Sequence, residues 1–358
     1  MSKVLFVITS MNSGGLENYL LRYLSYDTSN EFVILCKSGI GGVLEEKFKK
    51  FGHVKAIEKK HIGYFNLVEF LWLYRFIKDN KFDVVCDFTG NFAGVPILCA
   101  KIANVSKKIT FYRNSANHFK DTWYNRLYDS FVKKLAYKYS DRVLSNSQAA
   151  FDYYFPNVVS PKFKVIYNGI DTSKLSKLEK NEMRAKLGIP LNSFVIGHTA
   201  RLDAAKNHDT IFKVANNVCS NHDNVYFICV GKGVKGYADK LTLHQHIIVH
   251  DFRNDILDVL KAFDMYYFPS LWEGQPNALI EALINDLPFV ASNIPSIEEA
   301  VPENLRCRLV PPLDVNKHVS EIEKNIESTT YREVSICGEW ARQYFKAEIR
   351  FQEFKNEL

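Results

Sequence analysis

The sequence predicts an α/β protein built from two doubly wound, parallel-sheet domains. The chain has 358 residues, and at about 150 residues per domain this length favours two cores over one. Short β-branched or aromatic runs alternate with segments of helical period, which is typical of βαβ units. This alternation restarts after residue 190, so the second half repeats the architecture of the first.

Six strands are predicted in each half. The first-half segments are KVLFVIT, EFVILC, FDVVCDF, KKITFYR, DRVLSNS and FKVIYN. The second-half segments are SFVIGHTA, NVYFICVG, HIIVHDF, FDMYYFPS, LPFVASN and RCRLVPP. Residues 168–192 between the two sets are polar and turn-rich, and their first part is the predicted linker. The predicted domains are therefore residues 1–168 and 169–341.

Composition narrows the class of protein. The chain is 47% hydrophobic and 24% charged, as soluble globular proteins are. The opening MSKVLFVITS has an apolar run too short for a signal peptide, and no apolar stretch approaches the roughly 18 residues of a spanning helix. Seven scattered cysteines without CxxC spacing predict reduced core thiols. We therefore expect a cytoplasmic protein whose membrane contact, if any, is peripheral.

Charge is unevenly distributed along the chain. Residues 1–170 hold 24 Lys and Arg against 14 Asp and Glu, a net +10, whereas residues 171–358 hold 22 against 26, a net −4. A basic first domain suggests an anionic partner, such as a phosphorylated lipid, an anionic membrane face or nucleic acid. A solvated basic surface without any partner is an equally good interpretation of charge alone.

Residues 270–282 read SLWEGQPNALIEA and form a predicted strand-to-helix loop. Gly274 lets the backbone approach a ligand, and amides at the helix start favour an anion. Pro276 suits the first helical turn because it has no amide hydrogen. Glu273 and Glu281 can each accept hydrogen bonds from hydroxyls, so a ligand with phosphates between two hydroxyl-rich rings, a sugar nucleotide, fits the stretch. An exposed loop Glu and an ordinary helix Glu are the alternative.

Several ordered motifs extend this pattern across nearly the whole chain. They are MNSGGLENYL, VIYNGID, HTARLDAAKNH, VGKG, PSLWEGQPNALIEA and LPFVASNIPSIEE. Together they resemble the retaining family 4 glycosyltransferases, also called glycosyl transferases group 1. The resemblance implies a GT-B fold, in which two Rossmann-like domains face a cleft. It also implies that the last helices, residues 342–358, pack back on the first domain.

The resemblance implies a role for each matching residue. Glu273 would contact donor-sugar hydroxyls, Glu281 the nucleotide ribose, and Arg201 with Lys206 the donor diphosphate. The residues themselves support the last role, because two cations that follow the strand FVIGHTA would stabilise charge on a leaving diphosphate. The remaining donor-binding residues that the resemblance implies are Gly14, Gly15, Gly231, Gly274, Gln275, Pro276 and Asn277.

One position departs from the family pattern. Relatives often carry a His-Ser-His-Asn-like run after the strand that corresponds to KKITFYR, whereas this chain reads RNSANHF. Asn114 and Ala116 stand where those histidines are expected, and His118 is displaced by one or two positions. A contact of His118 with substrate and a surface or satisfied histidine both remain open.

The predicted enzyme is a hexosyltransferase-type glycosyltransferase that retains the anomeric configuration. Its donor would be a nucleoside-diphosphate sugar, a UDP-sugar by preference, and its acceptor a glycan or lipid-diphosphate-linked hydroxyl in bacterial surface-polysaccharide synthesis. Zinc and calcium spacings and a DxD metal clasp are missing from the sequence, so neither metal nor cofactor is expected. Nucleic acid is not an expected partner. The expected location is the cytoplasm, with contact to the inner membrane face through the basic first domain.

Two other functions are consistent with parts of the sequence. Residues 231–236, GKGVKG, fit GxGxxG, and Asp251 follows at a distance that suits a ribose-binding acid, so an NAD-dependent oxidoreductase is one alternative. However, this fingerprint usually opens the first βα unit of its domain, and SFVIGHTA comes earlier. Copurifying nicotinamide fluorescence would favour the alternative.

The other alternative is a non-catalytic protein that binds a membrane or another anion. Trp123, Leu127, Phe131 and Leu135 recur at helical spacing in a basic, aromatic segment. We expect instead that this stripe packs on its own sheet, and likewise that the aromatic face of residues 66–80 lies in the core.

Overall fold

The structure is a computed structural model that describes residues 1–12, 14–63, 66–113, 122–172, 175–327 and 332–358, and side chains at 332–336 are not included. The described chain divides into two compact units. Unit 1 comprises residues 1–169 together with 348–358, and unit 2 comprises residues 170–347.

Unit 1 contains a seven-stranded parallel sheet with the order β3-β2-β1-β4-β5-β6-β7. The strands are β1 Lys3–Ile8, β2 Glu31–Cys36, β3 Val54–Lys59, β4 Val84–Asp87, β5 Lys107–Tyr112, β6 Arg142–Ser145 and β7 Phe163–Val165. The helices are α1 Gly15–Tyr26, α2 Glu45–Lys49, α3 Leu67–Asn80, α4 Gly94–Ile102, α5 Trp123–Tyr139 and α6 Gln148–Tyr154. Strands β1 and β2 are buried over nearly their whole length, as parallel strands covered on both faces are.

Unit 2 contains a five-stranded parallel sheet with the order β10-β9-β8-β11-β12. The strands are β8 Phe194–Thr199, β9 Val225–Val230, β10 Ile247–His250, β11 Met265–Phe268 and β12 Phe289–Ala291. The helices are α7 Lys180–Leu187, α8 His208–Asn221, α9 Val234–Ala238, α10 Ile256–Val259, α11 Asn277–Ile284, α12 Pro295–Glu298, α13 Val315–Glu327 and α14 Arg332–Tyr344. The two parallel-sheet units confirm the predicted fold class.

Eleven of the twelve predicted strand segments contain a strand of the structure. RCRLVPP does not, because residues 303–308 form a 3₁₀ turn and Val310 makes only an isolated bridge to Ser292. Conversely, β3 was not predicted. Its sequence VKAIEK is polar and half-exposed at the edge of the sheet, so it lacks the apolar run that marks a buried strand.

The return of the chain to unit 1 begins later than the predicted residue 342. Arg342 lies on α14 and donates hydrogen bonds to the Ile284 carbonyl and to Asp286, which are residues of unit 2. The returning helix is α15, Ala347–Lys355. Its Phe354 ring lies 4.7 Å from the Tyr23 ring, and Lys355 pairs with Asp27 at 3.0 Å.

Two aromatic helical stripes were predicted to lie in the core, and the structure confirms one of them. On α3 the aromatic residues Phe70, Trp72 and Phe76 pack against the core of unit 1. On α5 the prediction was wrong, because Trp123, Leu127 and Phe131 are all exposed. The face of α5 that packs inward carries Val132 and Ala136 instead, about a third of a turn or more away from the aromatic stripe.

Most of the cysteines are buried. All seven cysteines lie among the described residues as free thiols, and only Cys307 is exposed. Burial raises the pKa of the Cys36 thiol to about 11. Within the described ranges, none of the helices is long and apolar enough to cross a bilayer.

Candidate active site

The candidate site of unit 2 is formed by loops at the carboxyl ends of three neighbouring strands. Strands β9, β8 and β11 are adjacent in the sheet and are followed by residues 231–233, 200–207 and 269–276. In open α/β sheets this edge is where ligands bind, because loops and helix N-termini meet there. Most of the residues predicted for the donor site lie on these three loops.

Lys206 and Glu273 form the ion pair at the centre of this edge. Lys206 ends the short 3₁₀ turn Ala204–Lys206, and Glu273 lies in the loop after β11. The Lys206 Nζ lies 2.5 Å from the Glu273 Oε1, and the two side chains are 21% and 10% exposed. The Lys206 ammonium also lies 5.4 Å from the centre of the Phe268 ring. The structure thus brings together two predicted site residues that are 67 positions apart in sequence.

Backbone and amide hydrogen bonds hold the two loops in register. The Leu271 amide donates to the Ala205 carbonyl at 2.7 Å. The buried Asn207 amide group donates to the Pro269 and Pro312 carbonyls, at 3.0 and 2.8 Å. Asn207 has a left-handed backbone, with φ of 59°. Asn tolerates this conformation better than most residues, and its short side chain can reach both carbonyls.

Glu281 lies on helix α11, which follows the loop that carries Glu273. Tyr266, on β11, is fully buried and bonds to the Thr199 Oγ1 at 2.8 Å. Burial raises the pKa of the Tyr266 phenol, and the charges of Glu281 and Glu273 raise that pKa further. Both predicted carboxylates are therefore close enough to influence one tyrosine.

Arg201 lies on the same loop as Lys206 but has a different environment. Its side chain is 67% exposed, and its Nη2 donates to the Asp203 Oδ2 at 3.1 Å. The other oxygen of Asp203 accepts from the Ala205 amide at 3.0 Å and caps the 3₁₀ turn. Arg201 is thus held near the site by a local contact and keeps most of its surface in solvent.

Gly231 is required by the packing of the neighbouring loop. A Cβ at Gly231 would lie 1.7 Å from the Ala200 carbonyl oxygen, so only glycine fits. One residue on, the Lys232 carbonyl accepts from the Leu202 amide at 2.9 Å. Asp251, the acid that an oxidoreductase would use for ribose, instead accepts from the Gly233 amide at 2.7 Å. These contacts fix the loop that carries Arg201.

Two histidines near Lys206 are held neutral. His198 on β8 is fully buried, and burial, the neighbouring His208 and the Lys206 charge lower its pKa to about 3. Burial and the same lysine lower the pKa of His208 to about 4, although a backbone contact at Asp203 opposes the shift. Both rings are therefore uncharged at neutral pH. They pack under the loops as polar core residues and add no positive charge to the site.

The start of α11 differs in detail from the prediction for Pro276. The helix begins at Asn277, so Pro276 stands just before the first turn rather than in it. The Pro276 carbonyl accepts the first helical bond, from Ile280 at 3.0 Å, while the Asn277 amide bonds to the Gln275 carbonyl. Gln275 itself is buried. Consequently the Asn277 amide is already bonded within the protein.

The remaining predicted residues lie elsewhere. Gly14 and Gly15 belong to unit 1, where they open helix α1 after the first strand. Among the residues that the structure describes, a Cβ on Gly15 would meet no atom within 4 Å. His118 lies outside the described residues, as do Asn114 and Ala116. Sequence reasoning did not single out Asn207 or Tyr266 as site residues, because neither side chain carries a charge at neutral pH. The one hint in the sequence was the position of Asn207, in AAKNH, between a turn and the start of a helix.

Comparison with known families accounts for nearly the whole chain. Residues 13–174 match the family described as Glycosyltransferase Family 4, and residues 179–343 match Glycosyl transferases group 1. The chain belongs to the GT-B glycosyltransferases of family 4. This assignment removes the NAD-dependent oxidoreductase as the function of the GKGVKG loop.

Three curated bacterial relatives are named as glycosyltransferases. An Escherichia coli UDP-Gal:alpha-D-GlcNAc-diphosphoundecaprenol alpha-1,3-galactosyltransferase is 29% identical over 62% of this chain and 60% of its own length. The putative glycosyltransferase EpsF of Bacillus subtilis is 25% identical over 97% of this chain and 91% of its own length. The capsular polysaccharide biosynthesis glycosyltransferase CapH of Staphylococcus aureus is 26% identical over 91% of this chain and 95% of its own length.

Solved structures share the fold. The crystal structure of Anabaena Alr3699/HepE in complex with UDP and glucose superposes with a TM-score of 0.82 at 21% identity, covering 99% of both chains. WaaG, a glycosyltransferase involved in lipopolysaccharide biosynthesis, superposes with a TM-score of 0.73 at 15% identity, covering 98% of both chains. These similarities show the GT-B fold of the chain.

Proposed function

We propose that the enzyme transfers a sugar from a UDP-sugar to a hydroxyl of a glycan or lipid-diphosphate-linked acceptor, with retention of the anomeric configuration. The single observation that carries the proposal is the Lys206–Glu273 pair at the carboxyl edge of unit 2. A cation and a carboxylate side by side can hold the two parts of a donor that differ most in chemistry, the diphosphate and the sugar hydroxyls.

The ion pair has two functions in this proposal. Lys206 orients the Glu273 carboxylate in the free enzyme, with one oxygen bound and the group largely out of solvent. When the donor binds, the Lys206 ammonium takes a diphosphate oxygen, and Glu273 accepts hydrogen bonds from the sugar. As the bond between sugar and phosphate breaks, negative charge grows on the leaving diphosphate. Lys206 and the exposed Arg201 stabilise that charge.

Other residues complete the donor site. Glu281 binds the ribose hydroxyls, the role that the family motif assigns to the carboxylate on the helix after the loop of Glu273. Gly231, Gly274 and Gln275 bring main-chain atoms close to the nucleotide. We assign the acceptor to unit 1, because residues 1–170 carry the net positive charge that suits an anionic acceptor. The acceptor oxygen attacks from the face of the leaving group, and a diphosphate oxygen takes its proton.

The reaction is proposed to need neither a metal ion nor a cofactor. Lys206 and Arg201 supply two positive charges where a divalent cation would otherwise neutralise the diphosphate. A matched assay with and without a chelator and with added Mg²⁺ or Mn²⁺ tests this point. Unchanged turnover after chelation is the expected result, and loss of turnover that Mg²⁺ restores would contradict it.

The biological setting of the reaction is proposed from the names of the curated relatives. The name of the galactosyltransferase contains a diphosphoundecaprenol acceptor, and the name of CapH specifies a capsular polysaccharide. The net +10 of residues 1–170 suits an acceptor with an anionic diphosphate. We therefore place the enzyme in the cytoplasm, at the inner face of the membrane, where such an acceptor presents its head group.

Replacement of Glu273 tests the proposed function. Glu273→Ala should lower kcat/KM by about 10³-fold, since contacts to the reacting sugar are lost, while the melting temperature stays near the parent value. Glu273→Gln keeps the size of the side chain and one acceptor oxygen, so its kcat/KM should lie between those of the parent and Glu273→Ala. Glu303→Ala, an exposed acid of unit 2, is the matched control and should leave transfer unchanged.

Transfer by Glu273→Ala within about threefold of the parent, a difference of only about 0.7 kcal/mol, would remove Glu273 from the site. The anomeric configuration of the product, determined by NMR, separately tests retention. An inverted product would contradict that part of the proposal.

A further inference from the structure

The outer face of α5 carries large apolar side chains with high fractional exposure. Trp123 is 73% exposed, Leu127 63% and Phe131 49%, and they follow one another at intervals of four residues. Such residues form one stripe along a helix. Tyr124, 57% exposed, widens the stripe at its first turn. Contiguous apolar surface of this kind on a water-soluble domain marks a contact with a partner or a membrane.

The packing of α5 keeps the stripe facing outward. Val132 and Ala136 on the opposite face are buried, and α5 packs on α4. The Asp129 carboxylate accepts a hydrogen bond from the Asn91 side chain at 2.8 Å, and Asn91 also accepts from the Tyr112 hydroxyl. Because these contacts fix the rotation of the helix, the stripe cannot turn into the core without breaking them.

Lysines continue the stripe toward the C-terminal end of α5. Lys134 and Lys138 follow Trp123 by eleven and fifteen residues, which at 3.6 residues per turn returns each to about the same face. Both are exposed. The stripe therefore changes from apolar to cationic along its length. This gradient suits a helix that inserts its first two turns obliquely and places its lysines among anionic head groups.

A second group of exposed apolar residues lies at the same edge of the sheet. Leu67 and Val68 in the first turn of α3 are 69% and 75% exposed, and Ile40 and Val43 after β2 are 67% and 77% exposed. Helices α3 and α5 each follow a parallel strand, so both begin at the carboxyl edge. Helix α4 packs against both of them. The two apolar groups are thus separate contacts along one edge.

We propose that this edge of unit 1 docks on an anionic phospholipid surface, with the first turns of α5 and α3 inserted and the lysines of α5 on phosphates. Two separated apolar groups along one edge fit a flat partner better than a single groove would. The excess of ten positive charges in residues 1–170 attracts the same partner. The proposal extends the proposed function, since a lipid-linked acceptor resides in such a surface, but the docking can be measured without donor or acceptor.

The test is cosedimentation of the full chain with sucrose-loaded vesicles. Vesicles of phosphatidylcholine with about a third phosphatidylglycerol should bind the chain, and vesicles of phosphatidylcholine alone should bind it at least about tenfold more weakly. The triple change Trp123→Ala, Leu127→Ala and Phe131→Ala should lower partitioning by about 100-fold. Lys134→Gln with Lys138→Gln should lower it by about tenfold on anionic vesicles and leave it unchanged on neutral ones.

Matched controls distinguish binding through this surface from nonspecific adsorption of the protein to vesicles. Ile102→Ala with Val159→Ala removes exposed apolar groups elsewhere in unit 1, and Lys50→Gln with Lys101→Gln removes two exposed lysines. Both controls should bind vesicles like the parent. Thermal stabilisation by UDP should be the same in parent and triple variant, which separates docking from the donor site. Vesicle binding that the triple change leaves intact would overturn the proposal. The proposal would also be overturned if the full chain did not bind vesicles and instead formed a dimer that the triple change dissociates.

Discussion

The carboxyl edges of the two sheets are built in different ways. In unit 2 the loops are bonded to one another through Lys206–Glu273, Leu271–Ala205 and the Asn207 side chain. In unit 1 the same edge has open space over Gly15 and exposed apolar side chains such as Trp123. One edge is completed by contacts within the chain, and the other presents surfaces that the described protein leaves uncovered.

We propose that this difference corresponds to two kinds of partner. A nucleotide donor is small and highly charged, and fixed dipoles and charges stabilise it best when they need no rearrangement on binding. A lipid-linked acceptor is large and partly apolar, so its partner surface must remain accessible. We therefore expect substitutions at the edge of unit 2 to change chemistry or folding, and substitutions at the edge of unit 1 to change association.

Loss of the Lys206 charge should have the largest effect. Lys206→Met keeps an unbranched side chain but removes the ammonium that lies 5.4 Å from the centre of the Phe268 ring. The kcat/KM for transfer should fall by about 10³-fold, or about 4 kcal/mol of transition-state stabilisation. Steady-state kinetics with UDP-sugars measure the loss. Lys213→Met, an exposed lysine on α8, is the matched control. Equal rates in the two variants would show that the edge of unit 2 does not hold the diphosphate.

Asn207 should determine the stability of the same edge. Asn207→Ala removes two buried hydrogen bonds and places alanine at a left-handed backbone, so unfolding should become easier by about 3 kcal/mol. Asn207→Gly loses the same bonds but suits the backbone, and should cost about 1 kcal/mol less than alanine. Denaturant unfolding of the pair gives both values. Identical stability of alanine and glycine variants would argue against a backbone contribution.

Glycines at the two edges should respond in opposite directions. Gly231→Ala forces a Cβ against the Ala200 carbonyl and should destabilise the chain by about 1–3 kcal/mol. The new Cβ in Gly15→Ala would have no described atom within 4 Å and stands in a helical first turn, so stability should be unchanged or rise by up to about 1 kcal/mol. Transfer should nevertheless fall in Gly15→Ala if substrate approaches there. Thermal melts and an activity assay on both variants decide the matter.

Acid should weaken unit 2 through its buried histidines. Because the folded pKa values of His198 and His208 are about 3 and 4, below the usual value near 6.5, the unfolded chain binds their protons first as pH falls. Their stabilising contribution is complete above about pH 6.5 and is lost below it. Between pH 6 and 4.5 each histidine should contribute a slope of up to about 1.4 kcal/mol per pH unit. His208→Gln should flatten the slope measured by denaturant unfolding, and an unchanged slope would contradict this explanation.

Most of the fold followed from local pattern. Fully buried parallel strands carry continuous apolar runs, so KVLFVI and EFVILC were readily identified. The edge strand VKAIEK was missed because one side of it faces solvent and its sequence resembles a loop. RCRLVPP has the composition of a strand, but only Val310 pairs with the sheet, through an isolated bridge to Ser292. Pairing of this kind depends on neighbours that are distant in sequence.

The site was predictable where charge and motif coincide. Lys206 and Glu273 were identified from their loops, and the structure places them in contact. Asn207 was not, because the two carbonyls that it binds lie 62 and 105 residues further along the chain. The stripe of α5 was assigned to the core because helical spacing identifies a face without saying which way that face points. Its direction is set by Val132, Ala136 and the Asn91–Asp129 contact.

The central claim is that the edge of unit 2 around Lys206 and Glu273 grips a nucleoside diphosphate. The most direct measurement is thermal stabilisation of the chain by UDP, ADP, GDP and their sugar conjugates, compared between the parent and Lys206→Met. We predict that UDP and at least one UDP-sugar raise the melting temperature of the parent by several degrees, as binding at about 100 times Kd adds about 2.7 kcal/mol, and that Lys206→Met loses most of this shift. Equal stabilisation of both proteins, or no response of the parent to any nucleotide, would contradict the claim.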